Sequence, residues 1–294
     1  MHLQTDTQTT RATVMLLIAA TLWSISGVAV KKVQIESVPF AFWRSVGAGA
    51  FMLAVVWLFK GARPPAKWMV PSAVIYTAVV GLLITAMTLS TAAAGILLQY
   101  TAPLWCAVFA ALLTHHRIAG ATWLAMGLGG AGIAIMLAGE FNGNAWIGPT
   151  AGIASGVCFG GLILLLSEME RRAGKPINPA AIVLFNNLGA MVLLFVVALM
   201  LKQNLNVGAG KAGIVMAVGV VQLAAPYILF QIALRHVSPV RASLITLLEP
   251  VLNPVWVWMF AGEVPSGNTL AGGVIILAAM AVEILRKKPD APNG

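Results

Sequence analysis

Two ionisable residues, Arg44 and Glu249, lie inside long apolar stretches of the sequence. In the centre of a bilayer a charged side chain costs roughly 2.5–3.5 kcal/mol on insertion scales, so each one needs a partner or a function. A guanidinium pairs with a carboxylate through two hydrogen bonds, and Arg44 is therefore a candidate contact for a substrate carboxylate. Glu249 is a candidate partner for a substrate ammonium group, or a proton carrier. The alternatives are structural: Arg44 pairs with Glu249 or extends to the membrane surface, and Glu249 holds a bent helix through hydrogen bonds.

Two prolines, Pro103 and Pro250, occupy similar apolar segments in the two halves of the sequence. A proline inside a helix removes a backbone hydrogen bond and bends the helix, which leaves carbonyl groups without donors. Paired helix interruptions near the middle of a membrane are typical of transporter binding sites. We therefore predict that both prolines shape or gate a cavity, with a static packing kink as the alternative.

Other polar and aromatic residues within the apolar stretches are predicted to line the same cavity. Polar groups in a membrane bundle face its interior, although an interhelical hydrogen bond is the alternative for each. The polar set consists of Gln99, Tyr100, Asn186, Asn187, Gln222, Tyr227 and Gln231. Aromatic walls suit an aromatic or apolar substrate through stacking, with simple packing as the alternative. The aromatic set consists of Trp23, Phe42, Trp43, Tyr76 and Phe159.

Several other chemistries are excluded by the sequence pattern. The adjacent pair His115-His116 does not place two ligands on one helical face, so no metal site is expected. There is no hydrolytic triad, no HExxH motif and no GxxxxGK[ST] loop, which argues against an enzyme, a cofactor and ATP-driven transport by this chain alone. The chain has a net charge of +9, but its basic residues lie in short turns between apolar runs rather than in one groove. This distribution argues against nucleic-acid binding.

The elements that position these residues follow from the composition. The chain is 60% hydrophobic and 9% charged, with a mean hydropathy of +0.91, whereas soluble domains carry about 25% charged residues. A spanning helix needs about 20 mostly apolar residues. Ten such runs are predicted, at 12–30, 39–59, 68–87, 92–114, 119–138, 146–167, 179–201, 212–234, 239–261 and 268–285. The fold class is therefore an all-α membrane protein with ten transmembrane helices.

The distribution of basic residues predicts the orientation. If the runs alternate from a cytoplasmic N-terminus, 13 of the 18 lysines and arginines lie on the cytoplasmic side and four on the other, with Arg44 inside a run. Basic residues favour the cytoplasmic side, so both termini are expected there. The N-terminal tail is residues 1–11, and the C-terminal tail is residues 287–294.

The two halves of the sequence read as a repeat. The segment around Pro103 aligns with the segment around Pro250, and Phe42-Trp43-Arg44 aligns with Leu184-Phe185-Asn186. The first repeat is predicted at 12–138 and the second at 146–286. Each contains five spans, and because five is odd the second repeat is inverted in the membrane, as in many secondary transporters.

Two sequence motifs resemble those of a known family. They are LLQYTAPLW at residues 97–105 and TLLEPVLNPVW at residues 246–256, the second followed by Gly262-Glu263. The chain resembles the drug/metabolite transporter superfamily, EamA type, and within it bacterial aromatic amino-acid exporters. The first half has His115-His116-Arg117 where the second has Gly262-Glu263-Val264, so we assign no transport role to Glu263.

The resemblance implies a secondary transporter that exports aromatic or other neutral amino acids by alternating access across a bacterial inner membrane. Its expected partners are the small-molecule substrate and the lipid bilayer, with a monomer as the expected assembly. A passive uniporter or channel for small amphipathic solutes, or an exchanger for other metabolites or drugs, is the alternative.

Overall fold

The computed structural model describes residues 2–90, 92–114, 119–138, 146–262 and 264–285. Within these ranges the chain is helical without strands, and ten segments are long and apolar enough to cross a membrane. These spans are Thr7–Val33, Ser37–Leu58, Ala66–Leu89, Ala94–Leu113, Gly120–Ala138, Ile147–Ala173, Pro179–Met200, Ala209–Ala233, Pro239–Phe260 and Gly267–Leu285. The predicted fold class is confirmed, and every predicted run overlaps one span.

The spans are built from fourteen α-helices within the described ranges. They are α1 (His2–Trp23), α2 (Ser26–Val33), α3 (Ser37–Val55), α4 (Ala66–Leu89), α5 (Ala92–Gln99), α6 (Ala102–Thr114), α7 (Gly120–Ala138), α8 (Ile147–Ala173), α9 (Pro179–Met200), α10 (Ala209–Gly219), α11 (Ala225–Ala233), α12 (Pro239–Ile245), α13 (Leu248–Ala261) and α14 (Gly267–Leu285). A π-helical segment, Val220–Ala224, joins α10 to α11. Spans 1, 4, 8 and 9 each contain two helices, and each of the others contains one.

Some sequence predictions concern the ends of the chain and the connectors. Because α1 begins at His2, most of the segment predicted as a tail, residues 1–11, is helical. The C-terminal tail, His115-His116-Arg117 and Glu263 lie outside the described residues.

Equivalent spans of the two halves make equivalent contacts. In span 2, α3 packs against α10 of span 8, while the corresponding α9 of span 7 packs against α4 of span 3. Spans 2 and 7 also pack against each other, as do spans 5 and 10, formed by α7 and α14. Each contact is therefore repeated when the halves are interchanged, which is the signature of a two-fold relation. With five spans in each half, the repeats are inverted.

Glycines allow the closest approaches between the halves. A Cβ added to Gly132 in α7 would lie 2.8 Å from the carbonyl oxygen of Gly272 in α14, and one added to Gly272 would lie 2.4 Å from the carbonyl oxygen of Gly132. Similarly, a Cβ on Gly219 would lie only 1.9 Å from the carbonyl oxygen of Arg44. Small residues let membrane helices pack backbone against backbone, since van der Waals contact replaces the hydrophobic effect in lipid.

Two connectors on the predicted cytoplasmic side join the halves. The amide of Ala62 donates to the carbonyl oxygen of Pro176 at 2.8 Å, and the amide of Asn178 donates to the carbonyl oxygen of Ala62 at 2.9 Å. Asn178 Nδ2 also donates to the carbonyl oxygens of Val56 and Phe59, at 3.1 and 2.6 Å. Asn178 additionally caps α9, because its Oδ1 accepts the amide of Ala181.

Candidate functional site

Spans 4 and 9 break at equivalent places near the middle of the molecule. Helix α5 ends at Gln99 and α6 begins at Ala102, while α12 ends at Ile245 and α13 begins at Leu248. Pro103 and Pro250 each lie in the first turn of the helix after the break. A proline is tolerated there because the amide it lacks has no partner within the helix. The two interruptions predicted from the prolines are present, each a few residues before its proline.

The breaks bring Tyr100 and Glu249 together. Tyr100 lies between α5 and α6, and its hydroxyl donates to Glu249 Oε2 at 2.5 Å. Both side chains are buried, with exposed fractions of 2% and 4%. The hydrogen bond links the first half to the second and fixes the carboxyl group at the start of α13.

Arg44 in α3 faces the interior rather than the membrane surface, and its exposed fraction is 3%. The backbone of span 8 passes directly against its carbonyl group at Gly219. Its guanidinium lies 5.9 Å from the ring centroid of Phe40, within cation–π range. Arg44 and Glu249 do not form an ion pair with each other, unlike Glu168 and Glu170, which pair with arginines near the end of α8 and with Arg235. The structural alternative in which Glu249 neutralises Arg44 through direct contact is therefore absent from this conformation.

Both residues line one central cavity, which is enclosed by seven of the ten spans. Its lining consists of Trp23, Ser26, Arg44, Val79, Val80, Leu83, Gln99, Phe159, Gln222, Leu223, Tyr227 and Glu249. The cavity volume is about 30 Å³. Small-molecule pockets usually have volumes of roughly 300–1,000 Å³, so spans must separate before an organic molecule fits.

A cluster of aromatic rings forms one wall of the cavity. The ring centroid of Trp23 lies 5.1 Å from that of Tyr227 and 6.0 Å from that of Phe159, both in edge-to-face geometry. Phe230 packs behind them, 5.6 Å from Trp23. Edge-to-face contacts between rings are favourable and stabilise this wall.

Gln222 lies in the π-helical segment of span 8. Its exposed fraction is 1%, and neither Nε2 nor Oε1 has a hydrogen-bond partner among the described residues. Pro226, four residues later, has no amide to donate to the carbonyl group of Gln222, which accounts for the local change of helix type. Single-turn π segments inside helices are frequent at functional sites. The side chain therefore presents an unused donor and acceptor to the cavity.

Seven of the fourteen residues predicted for the cavity line it: Trp23, Arg44, Gln99, Phe159, Gln222, Tyr227 and Glu249. Tyr100 contacts it through Glu249, and the Tyr76 ring lies 5.2 Å from Tyr227. Gln99 is held in place because its Nε2 donates to Ser155 Oγ at 2.8 Å.

The other five predicted residues do not line the cavity. Asn187 instead accepts the Tyr76 hydroxyl through its Oδ1 at 3.0 Å. Trp43 Nε1 donates to the carbonyl oxygen of Leu205 in the connector between spans 7 and 8, and Phe42 packs against the Trp43 ring at 5.4 Å. Asn186 accepts the Ser72 hydroxyl, an interhelical hydrogen bond of the kind considered as its alternative role. Gln231 is buried in α11 outside the lining.

Sequence reasoning did not identify five lining residues: Ser26, Val79, Val80, Leu83 and Leu223. Four of them are aliphatic residues on helices that are apolar throughout, and no pattern separates such residues from lipid-facing ones. Ser26 could have been identified, because Ser24, Ser26 and Gly27 are small or polar residues grouped within the apolar run of span 1. Asn253 Nδ2 donates to the carbonyl oxygen of Ser24, and Trp256 Nε1 donates to Ser24 Oγ, both at 2.7 Å, at the break in this span.

The side chains that line the cavity offer groups suited to binding a small molecule. They combine a guanidinium, a carboxyl group, two amides and an aromatic wall. Among the described residues, no group of three or more histidine, cysteine, aspartate or glutamate side chains is arranged to hold a metal ion.

Comparisons with known proteins agree with this architecture. The model of the EamA-like transporter family matches the chain twice, at residues 10–138 and 146–284, and each match contains five spans. An uncharacterized transporter of Archaeoglobus fulgidus is 27% identical over 233 residues, which cover 79% of this chain and 82% of that protein. The pseudopaline exporter CntI of Pseudomonas aeruginosa is 25% identical over 187 residues, or 62% of each chain. One protein crystal structure has a TM-score of 0.75 at 19% identity, covering 93% of this chain and 96% of its own, which shows the shared fold.

Proposed function

Because the chain belongs to the EamA-like transporter family, we propose that it is a secondary transporter that exports a small zwitterionic metabolite, an aromatic or other neutral amino acid. The main support for this substrate class is that Arg44 and Glu249 line the same cavity without direct contact between them. A molecule with both a carboxylate and an ammonium group pairs with both residues.

The aromatic wall supports the preference for a ring or another apolar side chain. Trp23, Phe159 and Tyr227 face the same cavity as the two ionisable groups. An amino acid bound with its backbone groups at Arg44 and Glu249 then places its side chain against this wall. Guanidinium binds carboxylate through two parallel hydrogen bonds, which fixes the orientation of the substrate.

The proposed direction of transport and the proposed location of the termini rest on two further arguments. The relative named as a pseudopaline exporter favours export. The excess of basic residues on one side of the ten spans favours both termini in the cytoplasm of a bacterial inner membrane. Energy comes from the substrate gradient, from a coupled ion or proton gradient, or from exchange, because the sequence contains no nucleotide-binding loop.

Transport requires the narrow cavity to open to each side in turn. The breaks in spans 4 and 9 lie at the cavity and give α5 and α12 the freedom to move relative to α6 and α13. Hydrogen bonds between the halves, such as that from Tyr100 to Glu249, then form or break in the cycle. Alternating access of this kind is the usual mechanism of transporters with inverted repeats.

The test is flux in proteoliposomes with three labelled compounds of similar size. These are phenylalanine, phenylalanine methyl ester, which lacks the carboxylate, and 3-phenylpropionate, which lacks the ammonium group. We expect saturable flux of phenylalanine with trans-stimulation. Arg44→Gln should remove the preference for phenylalanine over the ester, and Glu249→Gln should remove the preference over phenylpropionate. A bidentate charge-assisted pair is worth about 1.5–3 kcal/mol, so each preference should fall roughly ten- to a hundredfold.

Arg63→Gln is the matched control, because this exposed arginine lies in the connector between spans 2 and 3, away from the cavity. Its preferences should equal those of the unmodified protein. Flux that never saturates would identify a channel instead. Preferences that survive both Arg44→Gln and Glu249→Gln would contradict the substrate assignment.

A further inference from the structure

A second cavity, of about 340 Å³, lies between α4, α6 and α8, and we call it the lateral groove. It is lined by Trp68, Ile75, Phe109, Leu113, Gly161, Leu164, Leu165, Glu168 and Arg172. None of these residues lines the central cavity. Leu113 is 72% exposed, so the groove reaches the outer surface of the bundle, where lipid surrounds the spans.

The two ends of the lateral groove differ in chemistry. Ile75, Phe109, Leu164 and Leu165 make its inner part apolar. At its mouth, two cations lie within cation–π range of the Trp68 ring, with Lys67 Nζ at 5.7 Å and Arg172 Cζ at 5.5 Å from the ring centroid. An apolar channel that ends in cations matches the two parts of a phospholipid.

Glu168 orients the basic side chains at the mouth. Its Oε1 accepts Arg171 Nε at 3.0 Å, and its Oε2 accepts Arg171 NH2 at 2.6 Å and Arg172 Nε at 3.2 Å. Both carboxylate oxygens are therefore occupied. The arginine side chains remain 42% and 54% exposed. One acid against Lys67, Arg171 and Arg172 leaves an excess of positive charge at the mouth.

We propose that the lateral groove is a binding site for an anionic phospholipid of the predicted cytoplasmic leaflet. One acyl chain lies along Ile75, Phe109 and Leu165, and the phosphate group contacts Lys67 and Arg172. Basic pockets between spanning helices on the cytoplasmic side bind anionic headgroups, and each basic residue near an anionic surface contributes about fivefold in affinity. Trp68 lies at the depth where indole rings are enriched, between the headgroups and the acyl chains.

The experiment is native mass spectrometry of the purified full chain with phosphatidylglycerol and phosphatidylcholine that carry the same acyl chains. The unmodified protein should retain phosphatidylglycerol in preference. The double variant Lys67→Gln/Arg172→Gln should lower this preference by about 25-fold, at roughly fivefold for each cation. Lys175→Gln is the matched control, since it removes an exposed cation at the same end of α8 but outside the groove.

A second variant tests the apolar part of the groove. A Cβ at Gly161 would lie 3.6 Å from Phe109 Cε2, an ordinary contact, so Gly161→Ala should retain the lipid. Gly161→Leu fills the groove and should lose both lipids while the helical circular dichroism spectrum is unchanged. If Gly161→Leu does not fold, the charge variants decide. Equal retention of the two lipids by the unmodified protein, or an equal loss of preference in Lys175→Gln, would overturn the proposal.

Discussion

The Tyr100 hydroxyl donates to Glu249 Oε2 across the boundary between the two repeats. Each residue lies at the break of its span, so the hydrogen bond joins the two points where the helical backbone is interrupted. A hydroxyl that bonds a buried carboxyl group contributes more than a neutral pair does, and breaking it leaves an unsatisfied polar group. The contact therefore ties the two repeats together at the centre of the molecule in this conformation.

Tyr100→Phe removes this donor and keeps the ring. We expect the free energy of unfolding to fall by about 1–3 kcal/mol, because Glu249 loses its buried partner. Phenylalanine flux should change as well, since the carboxyl group is no longer oriented. Thr122→Val is the matched control: the Thr122 hydroxyl donates to Glu283 Oε2 at 2.9 Å between spans 5 and 10, away from the cavity. It should lose stability without loss of flux in the same proteoliposomes.

Gln222→Leu separates binding from stability. The amide of Gln222 is buried without a partner among the described residues, so replacing it should leave the free energy of unfolding unchanged or raise it. If the amide pairs with the substrate, the Michaelis constant for flux should rise by about three- to tenfold, as for one lost hydrogen bond. Gln231→Leu, which changes a buried glutamine outside the cavity lining, should leave the constant unchanged. Identical effects of the two variants would contradict a role for Gln222.

Gly272→Ala tests the contact between spans 5 and 10. The added methyl group would lie 2.4 Å from the carbonyl oxygen of Gly132, so the two backbones must separate. Overpacking of this kind costs about 1–3 kcal/mol, and the midpoint of thermal unfolding in detergent should fall. Gly127→Ala in span 5, the span that also contains Gly132, has no atom within 4 Å of its new Cβ and should not lower the midpoint. Alanine is the better helix former, so helix propensity alone would raise both midpoints, and a fall of equal size in both variants would contradict a specific contact at Gly272.

Asn178→Ala tests the link between the connectors on the predicted cytoplasmic side. It removes hydrogen bonds to the carbonyl oxygens of Val56 and Phe59. The amides of Ala62 and Asn178 should then exchange hydrogen faster, as measured by mass spectrometry, because the connectors separate more often. Asn206→Ala, which removes the side-chain acceptor of the Gly208 amide in the connector between spans 7 and 8, should leave these amides unaffected. Unchanged exchange in Asn178→Ala would show that the remaining contacts suffice.

The spans could be predicted because lipid demands a long apolar run for every crossing. The boundaries agree closely at most ends. The exceptions are α1, which begins at His2, well before the predicted start at residue 12, and α8, which continues through Glu168, Glu170 and Arg171 to Ala173. Those charged residues end an apolar run in the sequence, but they pair with one another and with Arg235, so the helix extends beyond the membrane core. Hydropathy alone does not predict these ion pairs, and so it does not predict where α8 ends.

The centre of the site could also be predicted, since a charge within a span is costly enough to demand an explanation. Arg44 and Glu249 were identifiable for this reason. The positions of Trp43 and Asn186 were not, because their partners, Leu205 and Ser72, are distant in sequence. Whether a polar side chain faces a cavity or a neighbouring helix depends on the rotation of each helix, which the sequence of one apolar segment leaves open.

The π-helical segment of span 8 has no equivalent in span 3, where α4 is α-helical from Ala66 to Leu89. Two identical repeats would make the conformations open to either side mirror one another, with equal free energies. Here only one repeat carries the π-helical segment, so under the proposed alternating access the two conformations would not be equivalent even with equal solute on both sides. For the proposed transport cycle, this asymmetry predicts that the two reorientation steps have different rates.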